Sequence, residues 1–357
     1  MTFAPEVTVW TTPARAAAVG RVLDLLGDAV RPLAVAGPRS EPLDGLAARL
    51  GLRPGSDFRQ MRVDHPAAFV LVADRVRPAR AEETGGVAHR DLAAAVRDGT
   101  RAVCLEPPLA SLLSTVDAAF AGHPGAAVFA PAFTAAAGWR AAADPERHLG
   151  PPRLIRMTHL GRPDEGSMFA RLYDAWLTVL RFTPRPEWVT ASRTHLGGAG
   201  RAARAGRDDD PGPARGLLAA HGAVPAGPGV VLQVGDAAAA TRRHLSVLAD
   251  GGQLEVDANG YRLRGADGDE SDSAEPGGDA PRPAGPGAGS DGAGPDDYAQ
   301  AVADQWRRLL DRPASAADAP DPQRRGDALA CAEACLLSCR TGQPESPGHL
   351  LHLAGRG

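Results

Sequence analysis

The sequence of 357 residues contains no lysine, so all 39 of its basic residues are arginines. A strong coding bias explains the loss of surface lysines, because either cation is well solvated there. It does not explain the loss of a lysine whose ammonium group takes part in chemistry, because arginine stays protonated at any working pH. The sequence therefore excludes catalysis by a lysine amine.

Long apolar segments and an excess of positive charge are also absent. The net charge is −4 and the isoelectric point is near 6.2. No apolar run reaches the ~18 residues that a membrane helix needs. Residues 1–15 lack the basic segment and apolar stretch of a secretory signal. We therefore expect a cytoplasmic protein that binds neither nucleic acid nor a membrane.

The few cysteines do not predict a metal site. Cys331, Cys335 and Cys339 recur at every fourth position, which would place them along one side of a helix. Zinc sites usually have shorter cysteine spacings and a fourth ligand. Small apolar side chains facing a core are the favoured interpretation, and no metal is predicted.

The first part of the chain alternates short apolar segments with amphipathic ones. The apolar segments predict strands at Val7–Trp10, Pro32–Gly37, Ala67–Asp74, Arg101–Glu106 and Ala126–Phe133. Helices are predicted over Ala14–Leu26, Leu43–Leu50, His89–Arg97 and Leu112–Ala121. Apolar strands that alternate with helices favour a doubly wound parallel sheet covered on both faces. Residues 1–133 are therefore predicted to form a Rossmann-like α/β domain.

Residues 134–357 follow a different pattern. From Trp188 onwards short segments alternate polar and apolar residues, with Leu254 and Val256 facing inward, as in a largely antiparallel sheet with one open face. The acidic, Gly- and Pro-rich segment 266–296 is predicted to be a disordered insertion. Helices are predicted over Met168–Phe182, Tyr298–Leu310 and Arg325–Arg340. This part is predicted to be a second α/β domain.

Three segments carry a resemblance to a known family. His89, Gly99, Glu106 and Pro108 lie in HRDLAAAVRDGTRAVCLEPPLA, and HLGPPRLIRM and DALACAEACLLSCRTGQP follow later in the chain. Their order and spacing resemble the Gfo/Idh/MocA family of oxidoreductases over nearly the whole chain. The resemblance implies a Rossmann domain joined to a C-terminal α/β domain with an open-faced sheet. It also implies NAD or NADP as cofactor and a sugar, inositol or related alcohol as substrate.

The glycines that hold a dinucleotide are missing after the first strand. The family's strand continues into G-x-G-x-x-G/A, whereas this chain has VWTTPARA. Thr11 and Thr12 would crowd a pyrophosphate, and Pro13 lacks an N–H. The acidic residue expected after the second strand is absent from AGPRS, where Arg39 is either a 2′-phosphate contact or an exposed loop residue. The candidate cofactor contacts are Thr11, Thr12, Pro13, Arg39, Asp74, His89 and Glu106.

The catalytic groups that the resemblance implies are replaced as well. The family's Glu-Lys-Pro signature is Glu106, Pro107 and Pro108 here, with proline at the lysine position. The family's D-x-x-x-H-x-x-D pattern aligns with SMFARLYDAW, where Arg171 takes the histidine position and Asp174 keeps the last one. Arginine cannot shuttle a proton, and losing one acid/base group typically costs ~10²–10⁴ in rate. Asp174 is either a remaining ligand contact or the partner of Arg171 one helical turn away.

The sequence therefore predicts an oxidoreductase fold without dehydrogenase activity, acting as a non-catalytic subunit or a binding protein. Its partner would be a second copy in a homo-oligomer, an active paralogue in a hetero-oligomer, or a sugar-like small molecule. One alternative is an active NAD(P)-dependent oxidoreductase of a polyol, with His89, Glu106, His159 or Asp174 carrying the proton. Another alternative is a sensor that binds a small molecule in the cleft where the family's enzymes bind their substrates, without redox chemistry.

Overall fold

Two β-sheets organise the protein. The computed structural model describes residues 4–74, 87–108, 127–129, 133, 136–142, 149–195, 216–265, 268, 270–274, 298–311 and 321–355. The strands are β1 Glu6–Thr11, β2 Arg31–Ala36, β3 Pro54–Gly55, β4 Phe69–Ala73, β5 Arg101–Cys104, β6 Ala127–Phe129, β7 Pro152–Leu160, β8 Trp188–His195, β9 Gly216–Ala223, β10 Gly229–Gly235, β11 Arg242–Ala249, β12 Gly252–Asp257, β13 Gly260–Gly265 and β14 Glu270–Ala274. The helices are α1 Ala16–Leu26, α2 Glu41–Arg49, α3 Phe58–Asp64, α4 His89–Arg97, α5 Ala137–Ala141, α6 Met168–Val179, α7 Tyr298–Asp311, α8 Pro322–Thr341 and α9 Pro347–Leu353.

The first sheet is parallel and doubly wound, as the sequence predicted. Its six strands lie in the order β3-β2-β1-β4-β5-β6, and every neighbouring pair is parallel. Helices α1, α2 and α7 pack on one face, and α3 and α4 pack on the other. The strand order reverses between β1 and β4. In sheets of this kind, ligands bind in the crevice at the carboxyl ends of the strands at that point.

Helix α7 corrects the predicted division into domains. A boundary at residue 133 assigns this helix to the second domain, but Val302, Ala303 and Trp306 are buried in the core of the first sheet. The spacing of these residues gives the buried side of the helix, yet amphipathicity does not identify the surface on which that side packs. The chain therefore returns to the first domain before it completes the second.

The second sheet is largely antiparallel and has one covered face. Its eight strands lie in the order β14-β13-β12-β11-β7-β10-β9-β8, and only the β7–β10 pair is parallel among them. Helices α5, α6 and α8 contribute to the core on the covered face. Leu254 and Val256 are buried there, as predicted from their alternation. The other face of the sheet has no described helix packed on it.

Strand β14 lies within the segment 266–296 that the composition predicted to be disordered. Glu270–Ala274 pairs antiparallel with β13, so the prediction is wrong for these residues. Main-chain hydrogen bonds to an edge strand form without the apolar burial that composition measures. Apart from Gly268, the rest of the predicted insertion lies outside the described residues, as does the predicted helix Leu112–Ala121.

Helix α8 carries the three regularly spaced cysteines. Cys331 and Cys335 are buried and Cys339 is half-buried, as predicted for a core-facing side. The Trp176 Nε1–H donates to Cys335 Sγ at 3.3 Å, and burial raises the pKa of Cys335 to about 12. Among the described residues, no group of His, Cys, Asp and Glu side chains is placed to hold a metal ion. None of the described helices has the length and apolar character to cross a membrane.

Candidate functional site

A tight turn fills the crevice at the carboxyl end of β1. A 3-10 turn over Pro13–Arg15 follows Thr12 and leads directly into α1. Pro13 has no N–H, and the Arg15 N–H donates to the Thr12 carbonyl at 3.0 Å. The Ala16 N–H donates to the Pro13 carbonyl. Of the donors that a helix N-terminus would offer to a phosphate, the one at Pro13 is missing and those of Arg15 and Ala16 are used within the turn.

The neighbouring strand ends are packed closely around the turn. Thr11 is fully buried, and a Cβ added to Gly37 at the end of β2 would lie 1.9 Å from the Thr11 carbonyl oxygen. Arg39 is exposed in the following loop. Asp74 is buried at the end of β4, and His89 is the first residue of α4. Thr11, Asp74 and Glu106 thus lie at the carboxyl ends of the neighbouring strands β1, β4 and β5.

Arg15 lies at the centre of the crevice and pairs with Glu106. Both residues are 5% exposed. The Arg15 Nη2 donates to Glu106 Oε1, and its Nη1 donates to the Tyr298 hydroxyl at 3.5 Å. Burial alone would lower the pKa of Arg15, but the Glu106 carboxylate and Tyr298 raise it above its usual value. Glu106, the glutamate of the family signature, thus forms a buried ion pair after the end of β5.

Ser167 joins this ion pair from the second domain. Its N–H donates to Glu106 Oε1 at 3.0 Å, and its hydroxyl donates to Glu106 Oε2 at 2.6 Å. The same hydroxyl accepts from the Ala170 N–H at 3.0 Å and so caps α6. Glu106 is therefore bound by donors from both domains.

A second set of contacts connects α1 to the second domain. The Arg21 Nη1 donates to Asp164 at 2.9 Å, and its Nη2 donates to Glu165 at 3.4 Å. Glu165 is further bound by the Thr241 hydroxyl and by the Arg162 N–H. With the hydrogen bonds of Ser167 to Glu106, these bonds link the two domains at two places.

A small cavity lies in the cleft between the domains. Its volume is about 20 Å³, whereas pockets for small molecules and cofactors usually measure ~300–1,000 Å³. The lining residues are Leu105, Pro107, His159, Glu165, Gly166, Ala170, Arg171, Tyr173, Asp174 and Tyr298. The structure thus brings Pro107, Arg171 and Asp174 together at one cavity. Pro108 is buried beside them and does not line the cavity.

His159 and Asp174 form a buried pair at this cavity. The His159 Nδ1 lies 3.7 Å from Asp174 Oδ2, and the same carboxylate oxygen accepts from the Phe133 N–H at 2.9 Å. Burial, together with the nearby Arg243 and Arg171 cations, holds the pKa of His159 well below its usual range. This histidine is therefore neutral at physiological pH.

The interpretation of Asp174 as the ion-pair partner of Arg171 is wrong. Arg171 makes no ion pair with Asp174. Its Nη2 instead donates to the Arg162 carbonyl at 2.5 Å, and a Cβ on Gly161 would lie 2.7 Å from its Nε. The absence of a side chain at Gly161 gives the guanidinium a path away from Asp174. Asp174 keeps its place at the cavity without an ion pair to Arg171.

The sequence analysis did not identify the contacts that Arg15 makes with Glu106 and Tyr298. Arg15 lies in the glycine-loop segment, yet its importance depends on Glu106, which is 91 positions away in the chain. Tyr298 is 283 positions from Arg15, on the helix that returns to the first domain. Ser167, at the first position of the family's catalytic pattern, was the one sequence feature that could have pointed to these contacts.

Comparison with known proteins agrees with the fold. No family model matches the sequence, and no curated protein matches it. Among solved structures, a myo-inositol dehydrogenase from Corynebacterium glutamicum is 14% identical with a TM-score of 0.62, covering 96% of this chain and 98% of that chain. An oxidoreductase from Agrobacterium radiobacter, in complex with NAD+, L-tartaric acid and magnesium, is 12% identical with a TM-score of 0.62, covering 98% and 100%. A biliverdin reductase from Synechocystis, in complex with biliverdin and NADP+, is 15% identical with a TM-score of 0.60, covering 95% and 100%.

These structural neighbours define the class of fold. They are Gfo/Idh/MocA-type oxidoreductases, and this chain has their two-domain architecture over nearly its whole length. At these identities the likeness establishes the fold alone. What the protein does must therefore be argued from its own residues.

Proposed function

We propose that this protein is a non-catalytic member of the oxidoreductase fold class that acts as a subunit or a binding protein. The observation that carries the proposal is the buried Arg15–Glu106–Ser167 network across the cleft. The paired Arg15 and Glu106 side chains lie near the carboxyl ends of β1 and β5, the edge of the sheet at which folds of this kind bind their ligands. We therefore do not expect this protein to bind the NAD+ or NADP+ that is present in two of the neighbouring structures.

The residues at the crevice do not fit a dinucleotide. The 3-10 turn offers no free N–H at Pro13, Arg15 or Ala16 for a pyrophosphate, although a backbone cradle of this kind is what holds such a group. The cavity that Pro107 and Arg171 line has a volume of about 20 Å³, well below the ~300–1,000 Å³ of pockets that bind small molecules. Opening the cleft would break the hydrogen bonds from Ser167 to Glu106 and those from Arg21 to Asp164 and Glu165.

The acid/base groups support the same conclusion. The lysine position holds Pro107 and the histidine position holds Arg171, and neither side chain can exchange a proton at physiological pH. General acid/base catalysis works best when the pKa lies near the operating pH. His159 is buried and held neutral, so it is poorly placed to take over that role.

Titration with NADH and NADPH tests the proposal. We expect no saturable binding by fluorescence or calorimetry in the micromolar range, and a dissociation constant in that range would overturn the proposal. Arg15→Gly is the matched variant, because it removes the guanidinium that fills the crevice. Binding that appears only in this variant would support exclusion of the cofactor by Arg15.

We also propose that the open face of the second sheet mediates association with a second copy or a paralogue. Trp188 and Leu248 are each 46% exposed and Leu217 is 40% exposed, and the strand register places all three on the uncovered face. Exposed apolar side chains on one face are typical of interaction sites. Sedimentation velocity should show an oligomer that Trp188→Glu dissociates. Val63→Glu, at an exposed apolar residue elsewhere, should leave it intact, and a monomeric wild type would contradict the proposal.

One observation favours the alternative of an active oxidoreductase. His159 and Asp174 meet in the cleft at 3.7 Å, which is the kind of carboxylate–histidine pair that can move a proton. Assays with inositols and sugars in the presence of NAD+ or NADP+ separate the two functions. Turnover that is abolished by His159→Gln would establish the alternative, and we expect no turnover.

A further inference from the structure

The loop between β7 and α6, residues 161–167, is held against the second sheet. The Gly161 N–H donates to the carbonyl of the last residue of β10 at 3.0 Å, and the Gly161 carbonyl accepts from the Ala238 N–H at 3.1 Å. Further along the loop, Glu165 accepts from the Thr241 hydroxyl. These partners adjoin β10 and β11, so the second domain fixes the position of the loop.

The acidic part of this loop reaches α1 in the first domain. The Arg21 guanidinium donates to Asp164 at 2.9 Å and to Glu165 at 3.4 Å. The side chains of the two acids are only 15% and 7% exposed, whereas the ion pairs that contribute little are fully exposed to water. On α1, Val19 and Val22 are buried in the core of the first sheet. The contact therefore joins two well-packed parts of the chain.

The end of the loop makes a second contact with the first domain. The Ser167 N–H donates to Glu106 Oε1 at 3.0 Å, and the Ser167 hydroxyl donates to Glu106 Oε2 at 2.6 Å. Glu106 is 5% exposed, and hydrogen bonds to a charged acceptor are stronger than those between neutral groups. Moving the domains apart would take both donors away from a buried carboxylate.

We propose that residues 164–167 form a latch that holds the two domains closed over the cleft. Two-domain proteins commonly close around a ligand, and domains that meet through polar contacts are expected to move relative to each other. Here both partners of each contact belong to the chain itself, so closure needs no ligand. Opening the latch is then the step that any ligand of the cleft requires. The inference goes beyond the proposed function, because it concerns the arrangement of the domains and applies equally to a subunit and to a binding protein.

Hydrogen exchange measured by mass spectrometry on the full chain tests the latch, with two matched variants at Ser167. Asp and Asn cap a helix about as well as Ser, so Ser167→Asp and Ser167→Asn both keep the cap of α6. The aspartate places a second carboxylate against Glu106, whereas the asparagine amide can still donate to it. We expect Ser167→Asp to speed exchange by roughly tenfold or more in residues 101–108 and 161–174, which border the cleft. Ser167→Asn should stay close to the wild type.

Two reference strands separate opening of the cleft from loss of overall stability. Val35 in β2 and Leu254 in β12 are buried in the cores of the first and second sheets, and exchange in these strands should not change in Ser167→Asp. Faster exchange in every segment would indicate general destabilisation and would overturn the inference. Unchanged exchange at the cleft, or equal effects of Asp and Asn, would overturn it as well.

Arg21→Glu tests the latch independently of Ser167 and of the cap of α6. It places a carboxylate against Asp164 and Glu165, and we expect exchange in the same cleft segments to rise by roughly fivefold. Arg49→Glu is the matched control, because Arg49 donates to Asp24 on α1 at 2.9 Å within the first domain. Equal exchange in the two variants would overturn the inference. None of these measurements uses a cofactor, so their failure leaves the NADH titration of the proposed function unaffected.

Discussion

Removing the Arg15–Glu106 ion pair, which lies within the first domain, should show how much it contributes to the stability of the folded protein. The perturbation is a double-mutant cycle with Arg15→Met and Glu106→Gln, which removes each charge while keeping the side-chain size. Both side chains are 6% exposed, so each single variant leaves a charge buried without its partner. Breaking a buried ion pair in this way typically costs ~3–5 kcal/mol.

The double variant should lose no more stability than either single variant. It leaves no buried charge at this position, and the amide introduced by Glu106→Gln would still offer an oxygen to the Ser167 donors, which bind Glu106 at 3.0 and 2.6 Å. If each single variant costs ~3–5 kcal/mol and the double variant costs about the same, the coupling free energy is also ~3–5 kcal/mol.

Urea unfolding of the four proteins measures this coupling free energy. The exposed pair of Glu6 and Arg31, with side chains 39% and 64% exposed, is the control, and its coupling should not exceed ~1 kcal/mol. Additive effects at Arg15 and Glu106, with a coupling free energy below ~0.5 kcal/mol, would refute the conclusion that this buried ion pair stabilises the folded protein.

Three further predictions concern the second domain. Under native conditions at pH 8, iodoacetamide should modify only Cys339, which mass spectrometry can show, because the other cysteines are buried. Ser338→Ala should lower the free energy of unfolding by ~1–3 kcal/mol, because the Ser338 hydroxyl accepts from the Ala191 N–H at 2.9 Å; Ser192→Ala, at an exposed position, should cost little. Since the pKa of His159 is lowered by burial, the unfolded chain takes up the proton first as the pH falls. Stability should then be lost below about pH 6.5 by up to ~1.4 kcal/mol per pH unit, and His159→Gln should make this loss shallower in urea titrations.

The strands and longer helices were predictable because their patterns are local. The predicted helix over His89–Arg97 has the observed bounds, and other predicted elements differ at their ends, as with Met168–Phe182, where the helix ends at Val179. Helices α3, α5 and α9 were not predicted. Each has seven residues or fewer, which is too short for a helical period to be recognised.

Part of the candidate site was also predictable. Pro107, Arg171 and Asp174 were identified by alignment with family motifs, and they line one cavity. The partners of these residues were not predictable. The pairing of Arg171 with Asp174 fails because Gly161 lets the guanidinium turn towards the Arg162 carbonyl, and no local pattern contains that information.

The sequence by itself determined which chemistry is absent. A chain without lysine, with Thr11–Pro13 in place of a glycine loop and with Arg171 at a histidine position, lacks these groups in any conformation. Only the tertiary structure decided what replaces them, because contacts between residues far apart in the chain depend on how the strands and helices pack. It placed Arg15 against Glu106, and it left the Arg171 Nη1 buried without a hydrogen-bond partner in the described structure, at a small cavity.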